Sequence, residues 1–333
     1  MSAPAPSMYS DAAKQTAARL GLKLGRANLE VFADTLLALA QADRKIVVVT
    51  SDSRGSGKLG PFGQALPKQI VEVGIAEQNL VGVAAGLASV GKTVFAVSPA
   101  CFLTARSFEQ IKNDVAYSDN PVTLVGISAG VSYGALGTTH HSLHDFAALR
   151  AVNNLTIIAP ADNFEAREAV RAAAALHRPV YLRFGKAPLY DLPAGTPFTP
   201  GRARILRDGS DAAFIASGET VIHALLAAAH LEERDGLKCR VLSLPTVKPL
   251  DSAAILDAAR GCRAVVTAEE HLVNGGLGEA VAAVIAQAGT ATRFKIAGIP
   301  DEYTVTGSQA DIFRHYGLSM EGLAETMRAT LRA

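Results

Sequence analysis

The sequence predicts an α/β fold of two doubly wound domains, a larger one with a mostly parallel sheet and a smaller one after it. Three observations carry this. Short runs of Val and Ile without polar alternation read as strands buried on both faces of a parallel sheet. Segments with apolar residues at helical spacing lie between them. A stretch holding Pro188, Pro193, Pro197 and Pro200 breaks the alternation, and a second series follows it. A chain of 333 residues, 49% of them apolar, can fill two cores of this kind.

The elements are expected in the following order. Residues 1–25 form an arm with a short helix around Asp11 to Leu20. The larger domain spans 26–190. Asn28 to Ala42 spaces Leu29, Phe32, Ala33, Leu36, Leu37 and Ala40 along a helix. Lys45 to Thr50 is a buried strand, and Ser51 to Gly63 a loop rich in Gly and Ser. Gln69 to Val73 is a strand ahead of a helix that begins near Glu77. Strands then follow at Thr93–Val97, Val122–Ser128, Thr156–Ala159 and Val180–Arg183. Helices lie between them at Thr104–Tyr117, Leu143–Ala151 and Asn163–Leu176, with a loop from Gly130 to His141. Residues 191–200 are the expected linker. The smaller domain, 201–333, has strands at 212–216, 239–243, 264–268 and 294–298. Its helices are expected at 219–233, 251–259, 275–288 and 320–331, and no repeat occurs.

Composition excludes several functions. A formal net charge of +1 with no basic stripe leaves no footprint for nucleic acid. Aromatics make up 6% and Trp is absent, which argues against a base- or sugar-stacking platform. Cys101, Cys239 and Cys262 form no CxxC pair, so they read as buried thiols in a reducing compartment, not as zinc ligands or disulfides. The N-terminus lacks a signal-peptide layout, and no apolar run is long enough to span a bilayer. A cytoplasmic protein is expected.

The stretch Val73-Gly-Ile-Ala-Glu-Gln-Asn-Leu80 carries the most chemistry. Glu77 sits where an apolar strand ends and a small, apolar helix begins, near the positive end of the helix dipole. An ordinary first-turn acid and a working buried acid both fit that position. Phe102 similarly reads as a core residue or as the wall of a pocket. His140, His141 and His144 crowd into five residues. The i, i+3 pair of His141 and His144 could face a metal, but no carboxylate or cysteine signature accompanies it. Solvated or hydrogen-bonded surface histidines are expected at 141 and 144.

These motifs stand in a specific order. Glu72-Val-Gly-Ile-Ala-Glu-Gln-Asn79 comes first, then Phe102 with Arg106 and Gln110, then Gly134-Ala-Leu-Gly-Thr-Thr-His140. Ala159-Pro-Ala-Asp162, Pro179-Val-Tyr-Leu-Arg183 and Thr267-Ala-Glu-Glu-His-Leu-Val-Asn-Gly-Gly-Leu-Gly278 follow. From about Asn28 to its end the chain resembles the C-terminal half of transketolases, a pyrimidine-binding domain followed by the transketolase C-terminal domain. The resemblance implies thiamine diphosphate as cofactor. Glu77 matches the glutamate that hydrogen-bonds the aminopyrimidine ring and so helps to activate the thiazolium carbon. Ile75, Phe102 and Arg106 fall at cofactor-contacting positions, with Pro99 where a second aromatic often stands. His140 matches the histidine of the substrate channel.

Departures from the family pattern bear on substrate. The family's acidic pair is replaced by Ala135 and Leu136, and a substrate histidine by Ser128. A phosphate-binding arginine corresponds to Lys186, which offers a point charge instead of a bidentate fork. Ser56 weakly matches a phosphate-contacting serine, and a plain loop residue fits equally well. A donor with fewer hydroxyls, or an unusual acceptor, is therefore expected. The family's Gly-Asp-Gly motif for magnesium and diphosphate occurs nowhere in the chain. A separate subunit carrying that half and Mg²⁺ is implied, in an α2β2 assembly that transfers a two-carbon ketol or related acyl unit. Glu269-Glu-His271 is read as interface and strand-end structure, not as an acid–base set. The alternatives are the β subunit of a 2-oxo acid dehydrogenase and, in another class, a silent scaffold or regulatory partner.

Overall fold

Strands of β-branched residues alternate with helices in the computed structural model, which describes residues 7–193 and 197–333. In chain order the first strands are β1 (Leu24–Ala27), β2 (Ile46–Thr50), β3 (Ile70–Glu72), β4 (Thr93–Pro99) and β5 (Val122–Ile127). Next come β6 (Thr156–Ile158), β7 (Val180–Phe184), β8 (Pro188–Tyr190), β9 (Arg204–Arg207) and β10 (Ala212–Ala216). The last are β11 (Cys239–Ser243), β12 (Thr246–Lys248), β13 (Ala264–Leu272) and β14 (Arg293–Ile299). One sheet has the order β12-β6-β7-β5-β4-β2-β3 and is parallel except for β12. The second has the order β14-β13-β10-β11-β9 and is parallel except for β9.

Every residue of β2, β5 and β7 is buried, as apolar runs covered on both faces require. Successive side chains on these strands enter opposite layers. Val48, Phe95 and Val125 pack with Leu29, Phe32 and Leu36 of the helix Asn28–Ala42. Val49, Val94 and Leu124 pack with Leu80 and Ala84 of the helix Glu77–Ser89. The second sheet repeats the arrangement. Phe214 faces the helices Thr220–Asp235 and Met320–Arg332, while Ile215 faces Ser252–Gly261 and Leu277–Gln287.

Several elements differ from the sequence expectation. The expected helix Thr104–Tyr117 starts earlier, at Ala100, and is divided into Ala100–Arg106, Phe108–Gln110 and a π-helical turn, Ile111–Tyr117. Thr104 and Ser107 each donate a hydroxyl proton to the carbonyl four residues back, a contact that bends helices. The Ser51–Gly63 loop runs into a short helix, Gly60–Ala65, with proline in its first turn. Tyr9, Ala13 and Ala17 of the arm pack into the core of the second domain. Pro188–Tyr190 is not free chain, since β8 pairs with β1. Thr246–Lys248, from the second half of the sequence, extends the sheet of the first. The helix Gln309–His315 had no sequence expectation, although Ser308 and Asp311 form its capping box. Residues 1–6 of the expected arm and 194–196 of the expected linker lie outside the described residues. Among the described residues no helix is long and apolar enough to cross a membrane.

Candidate active site

Open parallel sheets gather ligands beyond the carboxyl ends of their strands. Here those ends carry Glu72 to Glu77 after β3, Phe102 after β4, Ser128 to His140 after β5 and Lys186 after β7. Glu72 shapes the first of these loops. Its carboxylate accepts the Asp52 and Gly74 amides at 2.6 and 3.0 Å and the Thr50 hydroxyl at 2.8 Å. Gly74, at φ +73°, makes a turn that a side chain would strain. Glu77 follows as the first residue of its helix, only 3% exposed.

The side chains form a continuous line. Arg106 Nη1 donates to both Glu77 carboxylate oxygens, at 3.1 and 2.9 Å. The same guanidinium lies over the Phe102 ring, 4.4 Å from its centroid. Phe102 meets His140 edge to face at 5.3 Å, and His140 meets Tyr133 at 5.6 Å in the same manner. Lys186 Nζ lies 3.7 Å from the Tyr133 ring centroid. Thr139 Oγ1 is 3.0 Å from His140 Nδ1, which leaves Nε2 for another partner. Partial burial, with Lys58 nearby, lowers the Lys186 pKa.

Glu77, Arg106, Phe102, His140 and Lys186 are thus brought together, and Tyr133, which the sequence did not single out, joins them. An aromatic residue inside a Gly-rich loop after a buried strand was its one signal. Ser128 closes β5 at φ +53°, fully buried, with a hydroxyl that has no hydrogen-bond partner among the described residues. Ile75 is 72% exposed. Ser56 donates to the Ser53 carbonyl at 3.1 Å, within its own loop. Ala135 and Leu136 are exposed on a single 3₁₀ turn.

The histidine neighbours require a correction. His141 is not on the surface: it is 3% exposed, with Nδ1 2.6 Å from Thr304 Oγ1 and Nε2 3.2 Å from the Gly134 carbonyl. Burial lowers its pKa. The 300–309 segment of the second domain buries it, a contact that local spacing does not reveal. His144 is half-buried, with Nε2 3.4 Å from Thr104 Oγ1. Among the described residues no group of three or more His, Cys, Asp or Glu is arranged to hold a metal. Glu269 accepts the Leu277 and Gly278 amides at 2.6 and 2.9 Å, so it caps a helix.

Gly134 lies where the two domains touch at this loop. A Cβ there would sit 2.3 Å from the Gly307 carbonyl oxygen, backbone against backbone. Gly134→Ala is therefore expected to cost about 1–3 kcal/mol. The urea midpoint of the full chain measures it, and an unchanged midpoint would show that the loop yields freely.

The chain belongs to the transketolase family. The family model for the transketolase pyrimidine binding domain matches residues 25–190, and that for the transketolase C-terminal domain matches 201–323. One subunit of the apulose-4-phosphate transketolase of Phocaeicola vulgatus is 48% identical over 297 residues, covering 89% of this chain and 94% of that one. A putative transketolase C-terminal section from Methanocaldococcus jannaschii is 35% identical, over 90% of this chain and 95% of that one. A solved split-gene transketolase, described as an inactive beta4 tetramer, superposes with TM-score 0.82 at 36% identity, over 92% of this chain and 99% of that one.

Proposed function

We propose that the chain is the pyrimidine-binding subunit of a split, thiamine-diphosphate-dependent transketolase of the cytoplasm. Its active site is completed by a second polypeptide that carries the diphosphate half and its Mg²⁺, in an α2β2 assembly. The observation that carries the reading is Glu77, a carboxylate buried at a helix start whose one ion-pair partner among the described residues is a half-exposed arginine. Such an acid is costly to bury without a task. The donor set suits an aminopyrimidine: a dry carboxylate for a ring nitrogen, with Phe102 as a flat wall. Relatives named as a transketolase subunit, as a C-terminal section and as a split gene favour this arrangement over a dehydrogenase β subunit.

When bound, the cofactor supplies a nucleophilic carbon that accepts the two-carbon unit. The chain's own residues prepare its surroundings. Glu77 holds or lends a proton at the pyrimidine ring nitrogen. Arg106 neutralises Glu77 and covers Phe102 in the free chain, so it must swing aside for a ring to stack there. Its 49% exposure leaves room for that movement. His140, steadied by Thr139, Phe102 and Tyr133, moves protons at the substrate hydroxyl or carbonyl. Lys186 attracts an anionic end group. Ala135, Leu136 and Ser128 remove polar contacts to a sugar chain, which favours a donor unlike the common pentose phosphates. The apulose 4-phosphate of the relative's name is a reasonable first donor to test.

The test is co-expression with a polypeptide carrying the Gly-Asp-Gly half, followed by native mass measurement and assay of bound thiamine diphosphate. Stoichiometric cofactor in a hetero-oligomer, and little on the chain alone, is expected. A homo-oligomer without cofactor under both conditions would overturn the reading. Xylulose 5-phosphate, fructose 6-phosphate, apulose 4-phosphate and pyruvate are then compared as donors. Efficient turnover of the first two would overturn the expectation of an unusual donor.

A further inference from the structure

Beneath the candidate site, at the junction of the two domains, lies a group of acids with no role in the chemistry above. Glu219 and Glu270 are 3% and 2% exposed. Gln309 Nε2 bridges them, donating to Glu219 Oε2 at 2.7 Å and to Glu270 Oε1 at 2.8 Å. A primary amide has two N–H donors, and both are used. The remaining oxygens, Glu219 Oε1 and Glu270 Oε2, are buried and accept no hydrogen bond among the described residues. Native interiors leave few such atoms unsatisfied.

The two carboxylates rest directly on the loops that carry the site. A Cβ on Gly130 would fall 2.1 Å from Glu270 Cδ, and one on Gly185 would fall 1.8 Å from Glu219 Oε1. Gly130 lies two residues after Ser128, and Gly185 immediately precedes Lys186. Glu270 Oε1 also accepts the Val131 amide at 2.9 Å, at the start of the loop that reaches His140. Farther along, Thr304 holds that loop through Thr138 at 3.1 Å and His141 at 2.6 Å. The second domain therefore grips the 129–141 loop at both ends.

We infer that Glu219, Gln309 and Glu270 form a positioning clasp for the His140 loop, and that it closes with Glu219 in its neutral, protonated form. Charge facing the pair is scarce. Arg183 Nη1 lies 3.8 Å from Glu270 Oε2, but its Nε is committed to Asp145 Oδ2 at 2.8 Å. Asp145 and Tyr9 are the other titratable groups that sense the pair. One cation thus serves Asp145 and Glu270, and none among the described residues contacts Glu219. Two like charges in this dry junction repel strongly, so Glu219 keeps the proton. Burial, then Glu270, pushes its pKa up to about 8.

Glu219 is neutral and the clasp closed below its raised folded-state value. As the pH rises through about 8, the proton leaves, the two carboxylates repel and the 129–141 loop loosens. The consequence for catalysis rests on the reading of His140 given above, whereas the clasp itself is a property of this chain alone.

Hydrogen–deuterium exchange of peptides spanning 129–142 is therefore measured on the full chain across this pH range, corrected for intrinsic rates. Wild type is expected to show a several-fold rise in exchange through about pH 8. Glu219→Gln, neutral at every pH, is expected to abolish the step, and Gln309→Leu to give fast exchange throughout. A flat wild-type profile, which requires no variant to fold, would overturn the inference, as would a step that survives in Glu219→Gln. In the assembled enzyme, kcat should fall across the same window in wild type and not in Glu219→Gln, with KM little changed. An exchange step without any change in kcat would overturn the claim that catalysis depends on the clasp, separately from the assignment of the reaction.

Discussion

Glu77→Gln in the assembled enzyme is expected to lower kcat at least about 100-fold, the scale of a lost general acid–base group. The change keeps the volume and one acceptor oxygen but cannot hold a proton for a ring nitrogen. The fold should survive, because Arg106, the partner left behind, is half exposed and is resolvated by water. Glu77 contacts Arg106 alone through its side chain among the hydrogen bonds of the described residues, so no wider network falls with it. Turnover with the complementary subunit, alongside circular dichroism of the variant, is the measurement. Wild-type rates would remove Glu77 from the mechanism. Lost activity together with lost secondary structure would make it a structural acid.

Arg183→Met is expected to produce the largest loss of stability, about 3–5 kcal/mol, because it strands a buried charge. Arg183 is 5% exposed at its side chain and Asp145 is fully buried. Besides the Asp145 contact, Arg183 Nη2 donates to the Ser142 and Glu270 carbonyls at 3.1 and 2.8 Å. Tyr181 donates its hydroxyl to Asp145 at 2.8 Å. Burial tends to raise the Asp145 pKa, but Arg183, and after it His271, outweigh burial and hold it below the ordinary 3.8. A depressed folded-state value means the ion pair stabilises fully above 3.8, and that contribution is lost as the pH falls below it. Urea denaturation at neutral pH gives the magnitude. A loss below about 1 kcal/mol would show that Met packing compensates for the pair.

The two expected effects separate two kinds of residue. The place of Glu77 at a helix start was legible in the sequence because its signal is local: a strand ends, a helix begins, and the intervening motif is short. His140 and Lys186 share that property, each following a strand within a loop, and Phe102 follows a strand in the first turn of a helix. Arg183 was visible only as the end of the Tyr-Leu-Arg strand, with no indication that Asp145 and Glu270 converge on it. Tyr133 gave an even weaker signal, one ring in a Gly-rich loop, and its place between His140 and Lys186 depends on how that loop folds back.

What the sequence by itself determined is most of the succession of strands and helices, the two series of them, and the motif residues at the strand ends. These follow from continuous apolar runs, from a helical period of 3.6 residues and from turn chemistry, which act over a few residues. Tertiary structure alone decided that the N-terminal arm fills the core of the second domain and that Thr246–Lys248 completes the sheet of the first. It also decided that His141 is buried under Thr304 and that Glu219 and Glu270 share one amide beneath the site. Each of these contacts joins residues far apart in the chain. Their energies come from burial and from pairing across an interface, quantities that no local pattern of residues records.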